Sequence, residues 1–283
     1  MNHVELELIK ELHKQINDCI TYCHWKSTDH IKATLRGDTD LDILICKNNI
    51  SRFEKEISSL GFKELKTVHL RSYPGIKDFI GLDNQSGKWV HIHAHYTLNL
   101  GDRWVKSYHL PFEREILKRR YFDKDLNIFL INPKDEMFLF RIRMSLKFLF
   151  PYRRMRVLQE EEYLKKNIEG LKLSEDQYIT TPLNDIIISL DRSSDLPRTL
   201  QALRLRIGLK FFRRFNRVTF SIYSKLRMFY RYYIEFRRRV LSKYDVGRRT
   251  LPEGGSIIVL TGIDGSGKTS NVISIEKDRK SVV

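Results

Sequence analysis

Val4, Leu8, Leu12, Ile16 and Ile20 recur every four residues, and beyond them the apolar residues abandon that spacing and gather into short runs. This switch constrains the fold most. A surface helix shows apolar residues about every 3.6 positions, whereas a buried strand shows a short apolar run bounded by turn residues. The spacing predicts an amphipathic helix over 3–18, then a short strand over Ile20–Trp25. Ser27 is a candidate cap for a brief helix over Thr28–Arg36, which Gly37 ends. Leu41–Cys46 reads as a buried strand, and Ile50, Phe53, Ile57 and Leu60 mark a helix stopped by Gly61. Phe62–Leu70 reads as extended, and Lys77–Asp83 with Lys88–Leu98 as a hairpin turning at Asn84-Gln85-Ser86-Gly87. Asn132-Pro133 pairs a cap with a first-turn proline and starts a helix to about Phe148. The order predicts an α/β (α+β) domain over roughly 1–130, a helical region over 131–250, and a last fragment over 256–283.

With 283 residues, the prior is about two domains. A hydrophobic fraction of 41% against 30% charged residues describes a folded chain rather than a disordered one. No apolar run approaches the ~18 residues of a membrane span. Glu5, Glu7 and Glu11 near the start do not resemble a secretion signal. Cys19, Cys23 and Cys46 cannot build a disulfide framework, which fits a reducing compartment. Cys19-x3-Cys23-His24 lacks a fourth ligand at metal-site spacing and reads as ordinary core or helix surface. The expectation is a cytoplasmic protein.

Charge is concentrated. The chain has 51 Lys+Arg against 35 Asp+Glu, net +16. Between Arg198 and Arg249 there are 16 basic residues and only two acids, Glu235 and Asp245, so +14 lies in that segment. Thirteen apolar residues run through it, from Leu200 and Leu203 to Val240 and Tyr244, covering 44 residues in 12 steps. That is about 3.7 per step, close to the helical period. The spacing predicts a basic amphipathic helix over 198–249, single or broken at Gly208 or Asn216. Three roles suit it: a solvated face around a buried stripe, an anionic membrane surface giving peripheral attachment, or nucleic acid.

Two constellations carry chemistry. Gly262-Ile263-Asp264-Gly265-Ser266-Gly267-Lys268-Thr269 follows the apolar strand Ser256–Thr261 and fits the phosphate-loop pattern G-x-x-x-x-G-K-[ST]. Glycines let consecutive N–H groups face phosphate oxygens, Lys268 reaches the outer phosphates of ATP, and the Thr269 hydroxyl ligates Mg²⁺. The stretch resembles thymidylate kinases and related nucleoside monophosphate kinases over roughly 256–270. Fourteen residues follow Thr269, fewer than the ~30 of one βαβ unit, so a truncated kinase-like module is expected.

The other constellation is Arg36-Gly37-Asp38-Thr39-Asp40-Leu41-Asp42-Ile43-Leu44-Ile45. Asp-x-Asp at the head of a strand places two carboxylates on one face. Carboxylates so close repel unless a cation lies between them, which suggests a Mg²⁺ site. The arrangement resembles the DNA polymerase β-like nucleotidyltransferase superfamily, whose motif is h-G-[GS], 9–13 residues, then D-h-[DE]-h. Lys26-Ser27 stands at the Gly-Ser position, twelve residues follow, and Asp40-Leu41-Asp42-Ile43 completes the pattern. The resemblance implies that Ser27 and the helix start hold the nucleoside triphosphate while Asp40 and Asp42 hold the metal. Lys26 departs from the motif glycine, and its ammonium is itself suited to phosphate. The third carboxylate is open: Asp78 and Asp83 are candidates, and His91, His93 and His95 alternate along Trp89–Leu98. Imidazoles there suit a metal or a general base, His93 foremost. Trp25-Lys26-Ser27, Asp40-Leu41-Asp42, Tyr73-Pro74-Gly75 and His91 to Tyr96 together resemble proteins that join a nucleotidyltransferase-like front half to a thymidylate kinase-like back half.

Three functions fit. The first is Mg²⁺-dependent nucleotidyl transfer from a nucleoside triphosphate to a hydroxyl acceptor. The second is a degenerate nucleotide-binding or membrane-surface scaffold. The third is a nucleotide kinase, should the chain belong to a longer product.

Overall fold

The structure, a computed structural model, describes residues 5–66, 72–101, 105–147, 154–170, 204–240 and 270. The chain divides into two compact units, Met1–Thr250 and Leu251–Val283. The phosphate-loop residues Gly262, Asp264, Gly265, Ser266, Gly267, Lys268 and Thr269 lie outside the described residues, as do both ends of the 198–249 segment.

The described part of the first unit is mixed α/β. Helix α1 (Glu7–Ile16) leads to β1 (Tyr22–His24), a 3₁₀ turn (Thr28–His30), α2 (Ile31–Leu35), β2 (Leu41–Ile45) and α3 (Ile50–Ser59). Strands β3 (Lys63–Glu64), β4 (Ile76–Leu82), β5 (Trp89–His95), β6 (Leu98–Leu100) and β7 (Tyr108–Leu110) follow. Next come α4 (Glu113–Lys118), β8 (Tyr121–Asp123), β9 (Ile128–Leu130), α5 (Pro133–Lys147), α6 (Arg154–Gly170) and α7 (Arg217–Val240). Seven strands form one sheet in the order β3-β4-β5-β2-β1-β9-β8, while β6 and β7 pair apart. β2 is antiparallel to β1 and parallel to β5; β5 is antiparallel to β4.

Alternation along the strands splits the side chains between two cores. Leu41, Ile43, Ile45, Val90, Ile92 and Ala94 meet Ile9, Leu12 and Ile16 of α1 and Phe53 and Ile57 of α3. On the opposite face, Cys23, Trp25 and Leu44 meet Ile116 and Leu117 of α4 and Phe138, Leu139 and Ile142 of α5. Each fully buried aliphatic side chain stabilises this arrangement by roughly 1.5–3 kcal/mol. Since α5 shares a core with β1 and β2, it is built into the sheet domain. α4 and α5 cover the β1 side of their face, and the β4–β5 side carries polar residues.

Most of the predicted elements are present with trimmed ends. The hairpin of β4 and β5 turns through Asp83, which accepts from Leu8 N–H (2.9 Å) and Ser86 N–H (2.9 Å). Of the alternatives for the basic segment, its described part is broken, at both Gly208 and Asn216. Residues 204–208 are helical, Leu209–Phe212 form a 3₁₀ turn, and Arg213 bridges to Tyr108. Asn216 then caps α7, its Oδ1 accepting from Thr219 N–H at 2.8 Å. Helix α7 is held by buried Arg227, which donates to Ser72 O (2.6 Å) and lies over the Tyr73 ring, and by buried Ile234. The apolar stripe is on its other side. Val218, Ile222, Leu226, Phe229, Tyr233, Phe236 and Val240 are all more than half exposed.

Candidate active site

Because Leu41 and Ile43 point into the α1/α3 core, Asp40 and Asp42 must face the other side of the sheet. The same rule applies to β5, where Val90, Ile92 and Ala94 are buried and His91, His93 and His95 share the aspartates' side. Pairing register places Asp42 opposite His93, and His93 opposite Asp78 of β4. Three neighbouring strands therefore contribute Asp-x-Asp, His-x-His-x-His and one further aspartate to one polar surface. That surface begins where the cover of α4 and α5 ends. Asp78 is thus the candidate third acid that the fold brings in; Asp83 remains in its turn.

Distances divide the surface into two parts. Asp40 meets His91 Nδ1 through Oδ1 (2.9 Å) and His93 Nε2 through Oδ2 (3.3 Å). Asp78 Oδ1 meets the other nitrogens, His93 Nδ1 at 2.8 Å and His91 Nε2 at 3.3 Å. Asp42 Oδ1 pairs with Lys26 Nζ at 2.7 Å and with His95 Nε2 at 3.4 Å. The His95 ring is buried edge-on against Trp25, with centroids 4.9 Å apart. Two donor sets suited to a metal follow, Asp40/His91/His93 and Asp42/His93/His95.

The electrostatics follow from these contacts. Hydrogen bonds from His91 and then His93 hold the Asp40 carboxyl well below the ordinary carboxylate range. Burial opposes ionisation of Asp42, but the Lys26 ammonium and His95 outweigh it and keep its carboxyl low. His93 is raised to about 9, because hydrogen bonds to Asp40 and Asp78 outweigh its burial. The protonated ring is thus favoured while no cation competes for its nitrogens, and a bound metal ion would displace that proton. Burial, only partly offset by Asp42, lowers His95 to about 4.

A cleft next to this surface is lined by Lys26, Ser27, His30, Thr39, Asp40 and Asp42, with Ile31, Thr34 and buried His24. Ser27 sits there in the left-handed region (φ 58°, ψ 38°), a conformation that costs a serine free energy and concentrates at functional sites. Its side chain caps no amide. The next amide is committed elsewhere: Thr28 N–H donates to Glu136 Oε1 (3.1 Å) and Thr28 Oγ1 to Glu136 Oε2 (2.5 Å). Glu136 is a residue that sequence reading missed. Asp135-Glu136 just after Pro133 looks like the acidic first turn common to helices, and only tertiary contact shows it anchoring the site loop. His24, the last residue of the Cys19-x3-Cys23-His24 triplet, is buried; its Nε2 lies 3.0 Å from that of His13 on α1, and burial keeps both rings neutral. Among the cysteines, Cys23 is in the core and Cys19 Sγ contacts Gln15 O, with all three thiols free.

Compared with known proteins, the chain matches no family model, no curated protein and no solved structure.

Proposed function

We propose that the unit Met1–Thr250 is a nucleotidyltransferase-like enzyme that binds a nucleoside triphosphate with its Mg²⁺ in the cleft between Ser27 and Asp42. One observation carries this reading. Asp40 and Asp42, from the head of β2, line a single cleft with Lys26 and Ser27 from the loop after β1. Oxygen donors on that cleft suit a hard ion such as Mg²⁺. When bound, the ion neutralises charge on the phosphates and on the leaving pyrophosphate. The chain's own residues position the reactants. Lys26 supplies an ammonium for a phosphate oxygen, Ser27 a hydroxyl free of capping duty, and Glu136 fixes the loop through Thr28. The acceptor is a hydroxyl, and the motif at Gly262–Thr269 offers a second ATP site in the other unit.

The test is calorimetric titration with Mg²⁺ and a nucleoside triphosphate. Asp40→Asn with Asp42→Asn should reduce affinity at least tenfold, while unchanged affinity in a folded double variant refutes the reading.

The stripe on α7 favours a second component, attachment to an anionic membrane surface. Helix α7 carries seven basic residues and one acid, and the aromatic and aliphatic side chains of its stripe face solvent. A second copy of the chain would bring two such cationic helices together, whereas anionic headgroups complement them. No described helix is long and apolar enough to cross a membrane. Sedimentation of the full chain with vesicles should require anionic lipid and weaken with salt. Equal binding to zwitterionic vesicles, or recovery only with nucleic acid, would refute this component.

A further inference from the structure

Nucleotide binding in the cleft leaves one arrangement without a task. His91 and His93 stand side by side on β5, with ring centroids 4.4 Å apart. Each ring is placed between the same two carboxylates, one nitrogen toward Asp40 and the other toward Asp78. Packing does not call for this. The three alternate positions beneath them, Val90, Ile92 and Ala94, already fill the core, and an exposed strand face has no need of adjacent imidazoles.

We propose that Asp40, His91 and His93 hold a resident transition-metal ion of the imidazole-binding class, typified by Zn²⁺, separate from the Mg²⁺ that arrives with nucleotide. The inference builds on the reading above only in sharing Asp40 with the cleft. Donor chemistry supports it first: Mg²⁺ takes oxygen ligands, whereas imidazole suits Zn²⁺, Fe²⁺ and their neighbours. Geometry supports it next. Two bonds of about 2.1 Å at a tetrahedral angle put donor atoms about 3.4 Å apart. Asp40 already stands 2.9 and 3.3 Å from the facing nitrogens of His91 and His93, and the three donors lie within 4.8 Å of one another.

Asp78 supplies a further element. A metal-binding histidine usually gives its other N–H to a carboxylate, which sets the tautomer and aims the lone pair. Asp78 Oδ1 lies 2.8 Å from His93 Nδ1 and 3.3 Å from His91 Nε2, the two nitrogens turned away from Asp40, and is placed to accept from both once a metal takes the other pair. The alternative set, Asp42/His93/His95, is the weaker one. Its carboxylate is engaged by the Lys26 ammonium 2.7 Å away until a nucleotide phosphate draws that ammonium off, and His95 is buried beside Trp25. The expected ion has three protein donors and an open position, on the solvent side where Asp40 is exposed.

The test uses the untagged full chain, stripped with chelator and titrated with Co²⁺ as a visible probe. One equivalent should develop a ligand-field absorption band that Zn²⁺ abolishes and a large excess of Mg²⁺ does not. His91→Ala with His93→Ala should remove the band, and Asp78→Asn should weaken binding about 10–100-fold. X-ray absorption of the Zn²⁺-loaded wild type, which needs no variant to fold, should count two imidazoles. No band, a band retained in the double histidine variant, displacement by Mg²⁺, or fewer than two imidazoles would each overturn the proposal. Nucleotide titration is a separate arm: if the Co²⁺ site is intact and nucleotide fails to bind, the metal inference stands and the nucleotidyl-transfer reading falls.

Discussion

Replacing Glu136 by glutamine removes one titrating group from the point where α5 holds the site loop. Glu136 is fully buried, and burial raises its carboxyl from 4.5 to about 7 even though Thr28 hydrogen-bonds to it. The folded chain therefore keeps this proton up to about pH 7, while the unfolded chain releases it near 4.5. The stabilisation from this residue is complete below pH 4.5 and is lost as pH rises through 7. At about 1.4 kcal/mol per pH unit, the loss between those limits is bounded at about 3 kcal/mol. Glutamine keeps an acceptor for Thr28 N–H, places an amide N–H against Thr28 Oγ1, and does not titrate. Glu136→Gln and wild type should be of similar stability near pH 5, and the variant should be more stable by up to about 3 kcal/mol at pH 8. Urea unfolding at one-unit steps from pH 5 to 8, with equal slopes for both proteins, measures this directly. A difference that does not change with pH would show that Glu136 is ionised in both states, and the burial argument would fail.

Three further outcomes follow from the same contacts. Ser27→Gly relieves a left-handed serine and should stabilise the fold by about 1 kcal/mol in thermal unfolding, since glycine adopts φ 58° freely while gaining unfolded-state entropy. Lys26→Met leaves the Asp42 carboxylate poorly compensated at 15% exposure and should cost about 2–3 kcal/mol in urea unfolding; a neutral result would show that His95 suffices as partner. On α7, Ile234→Ala should cost about 2–4 kcal/mol, whereas Phe229→Ala, at 63% exposure, should stay within about 0.5 kcal/mol in the same assay. Equal losses would mean the stripe is covered.

What the sequence reveals about this chain depends on distance along it. The four-residue spacing of Leu8, Leu12 and Ile16 reports α1 because a helix displays its own period, and Leu41–Ile45 reports β2 because a strand buried on one face and half-covered on the other is almost wholly apolar. Asp40 and Asp42 were legible for the same local reason, as were the alternating histidines. Partnership across strands was not. That Asp78 rather than Asp83 stands against His93 is decided by the register of β4 on β5. Strands β6 to β9, of three residues each, are too short to show any period and exist because neighbours complete their ladders. For α7 the period identified the apolar side correctly but said nothing about whether anything covers it. Glu136 shows the same limit for a single residue: its neighbours in sequence describe a helix start, and only β1's loop, 108 positions away, gives it a purpose.

Among the described residues, the seven-stranded sheet terminates in very short borders, two residues of β3 on one flank and three of β8 on the other. Such stubs expose too few unpaired amides and carbonyls to template a strand from a neighbouring molecule. Lateral zippering along these described borders is therefore disfavoured. The exposed aromatic-rich side of α7 offers a larger sticky surface than these borders, and conditions that screen or mask it should govern how the purified protein behaves in solution.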